Sequence, residues 1–350
     1  MRLLFLPNEL DGDPLSGQVG PRAAFAELAS QGTITALEIY SFLVRLKQKG
    51  AHGALQELLE LVVAFEPDVL FWQHVGGFPV DASYLAELRR RAPSMLLAYH
   101  EGDAIGRWRK RPPPETRALI AAADLVFAVG LGRQADVMHG YGAREVLHLP
   151  HSYDMRFGTD WTPTRTREFD AVMIANLWRG RLPGTYLPGG RKRLALGRRL
   201  SVRLGPRFGI FGRGWDRPVN VQAPVPFADQ ERTLRRAWIS VNWEHFDDYA
   251  FYFSDRMPIT LAAGIPHVAG YVPGYEHIFK GCPGLYFGTT VGDVADCAEW
   301  LLSQPRDRLI GEGQEARVWV ARHLSAAVVY HRAFEQCHES LLVKRRDARP

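Results

Sequence analysis

The stretch FYFSDRMPITLAAGIPHVAG, residues 251–270, sets Ser254, Asp255, Arg256 and Pro258 at the head of an apolar segment that stops at Gly264-Ile265-Pro266. A serine or aspartate ahead of a helix accepts hydrogen bonds from its first N–H groups, and proline is tolerated in the first turn. The pattern therefore predicts a short helix capped by Ser254 or Asp255 and stopped by the glycine and proline. IPHVAGY after it reads as a buried strand. Exposed N–H groups beside Arg256 make the head of this helix positive, which suits an anion.

The same alternation runs outward in both directions. On the amino-terminal side lie the strands FDAVMIANLW (169–178), RFGIFGRGW (207–215) and WISVNWE (238–244), with helices at 191–205 and 229–237. On the other side lie the strand GLYFG (284–288), a helix at 291–304, and 310–342, which reads as one long terminal helix. The first half repeats the theme with strands at 1–7, 67–75, 94–101, 124–130 and 144–154 and helices at 21–32, 81–92, 112–123 and 133–142. Asp81 is placed to cap the second of these helices. Strands alternating with helices indicate an α/β protein with parallel sheets, here two doubly wound, Rossmann-like domains facing a cleft. The polar stretch MRFGTDWTPTRTRE (155–168) separates them, so the expected domains are 1–158 and 159–325, with a terminal helix and basic tail at 326–350.

A chain of 350 residues fits two domains, and 46% hydrophobic with 23% charged residues is enough to bury both cores. The formal charge of +5 suits an anionic ligand without requiring one. Arginine clusters at 89–91, 107–111, 179–181, 191–199 and 232–236 are spread over both halves, a pattern of solvated helix faces more than of a nucleic-acid groove. Three cysteines without CxxC spacing argue against a disulfide framework or a zinc site and for a reducing, cytoplasmic setting. No apolar run approaches the roughly 20 residues needed to span a bilayer, and MRLLFLPNEL breaks too early for a signal peptide. A peripheral membrane contact through basic residues stays open, and nothing in the sequence speaks to oligomeric state.

Three motifs follow one another: GIFGRGW (209–215), SDRMPITLAAGIP (254–266) and PGYEHIF (273–279), with ADLVFAVG and YGAREVLHLPHSYD in the first half. Together they resemble the group 1, or spore-maturation-type, glycosyltransferases of GT-B fold, best over 120–335. The resemblance implies that the terminal helix crosses back onto the first domain. It also implies transfer of a sugar from a nucleotide-diphosphate donor, UDP-, GDP- or dTDP-linked, to a hydroxyl-bearing acceptor. The chain departs from that pattern at two places where related enzymes carry glutamates, here Phe251 and Ile259.

On this reading Arg256 faces the donor diphosphate, with Ser254 and Asp255 beside it. Arg179, Arg181 and Arg213, the last next to Gly212, stand at strand ends on the same rim, where guanidinium forks suit phosphate oxygens. Glu276 is placed for a ribose or sugar hydroxyl and His151 for the donor phosphate or sugar. The loop with Glu9, Asp11 and Asp13 ahead of Gly17 could close over substrate. The aromatic loop 243–253 offers a base or sugar a stacking surface, or else fills the core. In the first half His100, Glu101 and Asp103, at the end of YHEGD, are candidates for the base of an inverting transfer, and for acceptor positioning in a retaining one. No DxD pair stands at a strand end, and the adjacent aspartates of FDDYA are weak evidence for a metal, so neither metal nor cofactor is expected. The competing readings are a nucleotide-sugar epimerase or hydrolase, a nucleic-acid binder or modifier, and an inert sugar-binding relative.

Overall fold

The computed structural model describes residues 1–9, 19–107, 110–159, 162, 164–180, 184–215 and 220–347. The chain divides into two compact units, Met1–Pro150 with Ala326–Pro350, and His151–Ser325.

The first unit is built on β1 (Arg2–Leu6), α1 (Val19–Ser30), β2 (Ala36–Ile39), α2 (Phe42–Phe65), β3 (Val69–Gln73), α3 (Ala82–Arg91), β4 (Leu96–Glu101), α4 (Pro114–Ala122), β5 (Leu125–Ala128), α5 (Arg133–His139) and β6 (Val146–His148). Its strands form one parallel sheet in the order β2-β1-β3-β4-β5-β6. Every residue of β3, β4 and β5 is buried, as expected of strands covered on both faces. Because side chains alternate across a strand, Trp72, Leu97 and Tyr99 join one core with α2 and α3. Phe5, Phe71 and His100 pack on the other face around Phe25 and Tyr330. The segment 33–66, which the sequence pattern leaves unassigned, supplies β2 and α2. β2 is a half-exposed edge strand with little alternation. α2 is interrupted at Gly50, whose φ of 71° lies outside any helix.

The second unit contains β7 (Phe169–Ile174), α6 (Gly190–Leu204), β8 (Phe208–Phe211), β9 (Val221–Gln222), α7 (Gln230–Leu234), β10 (Ala237–Asn242), α8 (Arg256–Ala262), β11 (His267–Gly270), α9 (Tyr275–Ile278), β12 (Leu285–Gly288), α10 (Val291–Leu302) and α11 (Arg306–His323). Its six strands run parallel in the order β12-β11-β10-β7-β8-β9. α6 and α10 pack leucines and alanines on one side of the sheet. α11 lies close against the end of α8, since a Cβ on Gly313 would sit 2.1 Å from the Gly264 carbonyl.

One expectation is corrected here. The span 310–342 is not one helix: α11 ends at His323 and α12 (Ala326–Asp347) begins after Leu324 and Ser325. Leu324 leaves the helical region with φ −133°, and its carbonyl accepts from Tyr153 N at 3.2 Å. No glycine or proline marks the break, so its signal is tertiary. α12 belongs to the first unit and packs on α1 and β4. Lys344 donates to the Met95 carbonyl at 2.6 Å and to Asp124, and Arg345 donates to Asp68, which fastens α12 beside the starts of β3, β4 and β5. Among the described residues no helix is long and apolar enough to cross a membrane.

Candidate active site

In the second unit the carboxyl ends of β7, β8 and β10 meet in one hydrogen-bonded network. Asn176, just past β7, accepts on Oδ1 from the Arg213 backbone N–H beyond β8 at 2.9 Å. Its carbonyl accepts from Arg193 Nη1 of α6 at 2.7 Å and lies 3.0 Å from His245 Nε2. Arg193, buried in α6, also donates from Nε to the Trp243 carbonyl at 2.6 Å, and its Nη2 lies 3.6 Å from Glu244 Oε2. Burial pulls the Arg193 guanidinium down to about 10, the charge of Glu244 opposes this, and the nearby charge of Arg256 adds to it. Glu244 is 2% exposed, and its Oε1 accepts from Asn242 Nδ2 at 3.0 Å, from Ser254 Oγ at 2.9 Å and from Ser254 N at 3.2 Å.

That network changes the reading of the helix head. Neither Ser254 nor Asp255 caps α8 with its side chain. Ser254 Oγ is spent on Glu244. Asp255 already has helical dihedrals and its carboxylate lies 3.6 Å from Arg256 Nη1. α8 itself is seven residues long and buried from Met257 through Ala262. Arg256 is partly exposed, while its Nε is buried with no hydrogen-bond partner among the described residues. The turn thus offers a guanidinium held in place from behind rather than a long helix dipole.

Gly212 is where two loops touch: a Cβ there would sit 2.0 Å from the Ala175 carbonyl. The side chains of Arg213 and Arg179 are exposed, the latter in a bridge with Tyr186. His151 packs its ring against Tyr252. Glu276 is exposed in the first turn of α9 and accepts from Tyr271 Oη at 2.7 Å. Arg181, Gly17, Asp11 and Asp13 lie outside the described residues. Glu9 is buried on Arg22 and Ser41. Most of the aromatic loop is core: Trp243, Phe246, Tyr249, Tyr252 and Phe253 are buried, and Phe251 is partly exposed. Trp178, 57% exposed between Asn176 and Arg179, is the aromatic that the strand ends present most openly. Of the two departures from the family pattern, Ile259 is fully buried and Phe251 stands at φ 66°. The sequence reading missed Asn176, Arg193 and Glu244. The glutamate closing WISVNWE was visible as the end of a strand, but its burial against an arginine of α6 was not.

In the first unit the expected acidic trio is reordered. His100 is 5% exposed among Phe71 and Tyr330 and does not open to solvent. Glu101, on the opposite face of β4, is 1% exposed and accepts from Tyr99 Oη at 2.7 Å and Asp103 N at 3.0 Å. Its third partner is His74, absent from the expectation, with Nδ1 2.7 Å from Oε1. Asp103 is half-exposed and pairs with Lys110 at 3.1 Å. Burial lowers the His74 pKa, but the charge and hydrogen bond of Glu101, helped by Asp103 and opposed by Lys110, lift it to about 9. Ligand atoms of His74, Glu101 and Asp103 lie within 4.8 Å of one another. With His74 donating to Glu101 and Lys110 on Asp103, the cluster is already neutralised from within.

Residues 191–333 match a family described as glycosyl transferase-like. No curated protein matches the sequence. In fold the chain is similar to sucrose-phosphate synthase from Thermosynechococcus elongatus, with 10% identity, TM-score 0.61 and 98% of this chain against 100% of that one. It is also similar to HepE of Anabaena, solved with UDP and glucose, with 13% identity, TM-score 0.57 and 96% against 99%. A third is the DNA-modifying enzyme β-glucosyltransferase, with 11% identity, TM-score 0.58 and 96% against 99%. The match covers well under half of the chain, and the likeness to the solved structures is one of fold, the GT-B scaffold. The chain's two parallel sheets are the two Rossmann-like halves of that fold. The matched stretch runs from the start of α6, and so takes in Arg193, Arg213, Glu244 and Arg256.

Proposed function

We propose that this chain is a glycosyltransferase that moves a sugar from a nucleoside-diphosphate donor to an acceptor hydroxyl, without a metal, and that its second unit holds the donor. The observation that carries the reading is Arg256, a guanidinium with a buried, unpartnered Nε, on a turn fastened to buried Glu244 through Ser254. A diphosphate oxygen would satisfy that donor, and charge-assisted hydrogen bonds to phosphate are the strong ones. Arg213 and Arg179, at neighbouring strand ends, add charge where the leaving diphosphate gains it, the service a divalent ion would otherwise supply. The likeness in fold to HepE, whose structures contain UDP and UDP-glucose, supports this class of donor.

The test is a thermal-shift panel with UDP, GDP and dTDP, because a ligand that binds only the folded state raises Tm by mass action. Transfer is then assayed with the matching nucleotide sugars. One nucleotide should shift Tm strongly in the unmodified protein and weakly in Arg256→Ala. No shift with any of them would refute the reading, and product formed without an acceptor would replace it by hydrolysis or epimerisation.

A further inference from the structure

We infer that Trp178 is the face on which the nucleobase of the donor stacks. The inference rests on the donor reading above and adds to it the seat of the base, entirely within the second unit.

The sheet topology sets the place. In the order β12-β11-β10-β7-β8-β9 the chain leaves β7 toward β8 on one side and continues at β10 on the other. In an open parallel sheet the crevice that takes a ligand lies at such a reversal, beyond the carboxyl ends of the two strands. Its lips are the segment that follows β7, which carries Trp178, and the segment that follows β10, which leads to Arg256 at the start of α8. The two are laced together around His245. Gly189 N, just ahead of α6, donates to the His245 carbonyl at 2.6 Å, and Trp178 N lies 3.4 Å from His245 Nε2.

The backbone on both sides of Trp178 is clamped. Before it, Leu177 N donates to the Arg213 carbonyl at 2.8 Å and Asn176 Oδ1 accepts from Arg213 N at 2.9 Å, which ties the segment to the loop after β8. After it, Arg179 pairs with Tyr186 in an antiparallel bridge and Gly180 N donates to the Thr185 carbonyl at 2.8 Å. A group fixed in this way loses little freedom when a ligand covers it. The side chain itself stays open: Trp178 is 57% exposed, and among the described residues no other ring or guanidinium lies over its indole. Trp300 on α10, 44% exposed, shows the contrast, because Tyr286 stands 5.7 Å and Arg308 5.1 Å from its ring.

A nucleoside diphosphate has two unlike ends. Arg256 and Arg213 answer the charged one, and an open indole answers the flat one, since every base has a π-face that stacks on an aromatic side chain. Other aromatics near these strand ends are engaged. Phe251 packs against Gly274, where a Cβ would stand 2.4 Å from its ring. Trp215 donates its indole N–H to the Ala175 carbonyl at 2.7 Å and lies on α6, where a Cβ on Gly197 would stand 2.8 Å from its ring.

The experiment titrates the unmodified protein, Trp178→Ala, Trp178→Phe and Arg256→Ala with three probes: the nucleoside diphosphate that raises Tm, the corresponding nucleoside, and inorganic pyrophosphate. Trp178→Ala should keep the ligand-free Tm, bind the nucleoside diphosphate and the nucleoside each about 5- to 100-fold more weakly, and bind pyrophosphate as before. Trp178→Phe keeps a flat ring and should recover most of that loss. Arg256→Ala should show the complementary pattern, weaker for pyrophosphate and unaltered for the nucleoside. Trp178→Ala binding the nucleoside diphosphate as the unmodified protein does, or losing pyrophosphate to the same degree, overturns the stacking contact and leaves the donor reading intact. A loss that phenylalanine does not recover overturns it as well. Failure of the unmodified protein to bind any nucleoside diphosphate overturns the donor reading and this inference with it.

Discussion

Glu244 Oε1 accepts both the hydroxyl and the backbone N–H of Ser254, at 2.9 and 3.2 Å, while its other oxygen faces Arg193 at 3.6 Å. One buried carboxylate thereby ties the turn carrying Arg256 to α6 and to the exit of β10. Removing it strands a buried guanidinium. Glu244→Ala should therefore cost roughly 3–5 kcal/mol of stability. Ser254→Ala loses one hydrogen bond and should cost about 1 kcal/mol. Urea unfolding of the two variants checks this, and equal losses would mean that Glu244 carries no more than the serine contact.

Arg256 and Arg213 differ in what stands behind them. Arg256 has a buried Nε and a turn held by Glu244, whereas the Arg213 side chain is exposed and only its backbone N–H is fixed, by Asn176. A fixed donor loses less freedom on binding. Arg256→Ala should weaken nucleoside-diphosphate binding by about 10- to 100-fold, the equivalent of one charge-assisted hydrogen bond. Arg213→Ala should weaken it by less. Calorimetric titration of both variants decides, and the reverse order would move the phosphate contact to the β8 loop.

Much of this was legible in the sequence, and the part that was not has a common physical cause. The alternation of apolar runs and helical periods records burial on two faces, so most of both parallel sheets could be read directly. Edge strand β2 and the kinked α2 lack that signal because one is half-exposed and the other is interrupted at Gly50. Arg256 drew attention because its charge stands at a helix start. Glu244, Arg193 and His74 were missed because each matters through a partner 27 or more positions away: Arg193 reaches Trp243 across 50, and His74 reaches Glu101 across 27. The same blindness made His100 a candidate. Nothing local distinguishes it from Glu101, yet the two face opposite sides of β4.

His267 opens β11 at 2% exposure, and neither ring nitrogen has a hydrogen-bond partner among the described residues. Burial pushes its pKa down to about 4 from an ordinary 6.5. The unfolded chain therefore takes up the proton first as pH falls. Stability is complete above about pH 6.5 and is lost on the way down to about pH 4, by up to about 3 kcal/mol from this one group. His74 has the opposite sign, contributing below pH 6.5 and losing its contribution as pH rises through about 9. His267→Leu should flatten the acid limb of a plot of Tm against pH and leave the alkaline limb alone. An unchanged acid limb would place the sensitive group elsewhere.

Gly270 ends β11 where the Trp243 ring crosses it: a Cβ would stand 2.5 to 2.7 Å from three ring atoms. Trp243 is fixed on both sides, its indole N–H donating to Asp247 at 2.9 Å and its carbonyl accepting from Arg193 Nε at 2.6 Å. The ring cannot turn aside without disturbing the arginine that faces Glu244. Gly270→Ala should therefore destabilise the second unit by about 1–3 kcal/mol, the usual range for overpacking, and weaken nucleotide binding although residue 270 is not placed on the ligand. Trp243→Phe makes room at the cost of one hydrogen bond. The double variant should then be more stable than the sum of the two single losses allows, since touching residues couple. Urea unfolding of the four proteins measures that coupling. Strict additivity would show that the Trp243 ring and Gly270 do not press on each other in solution.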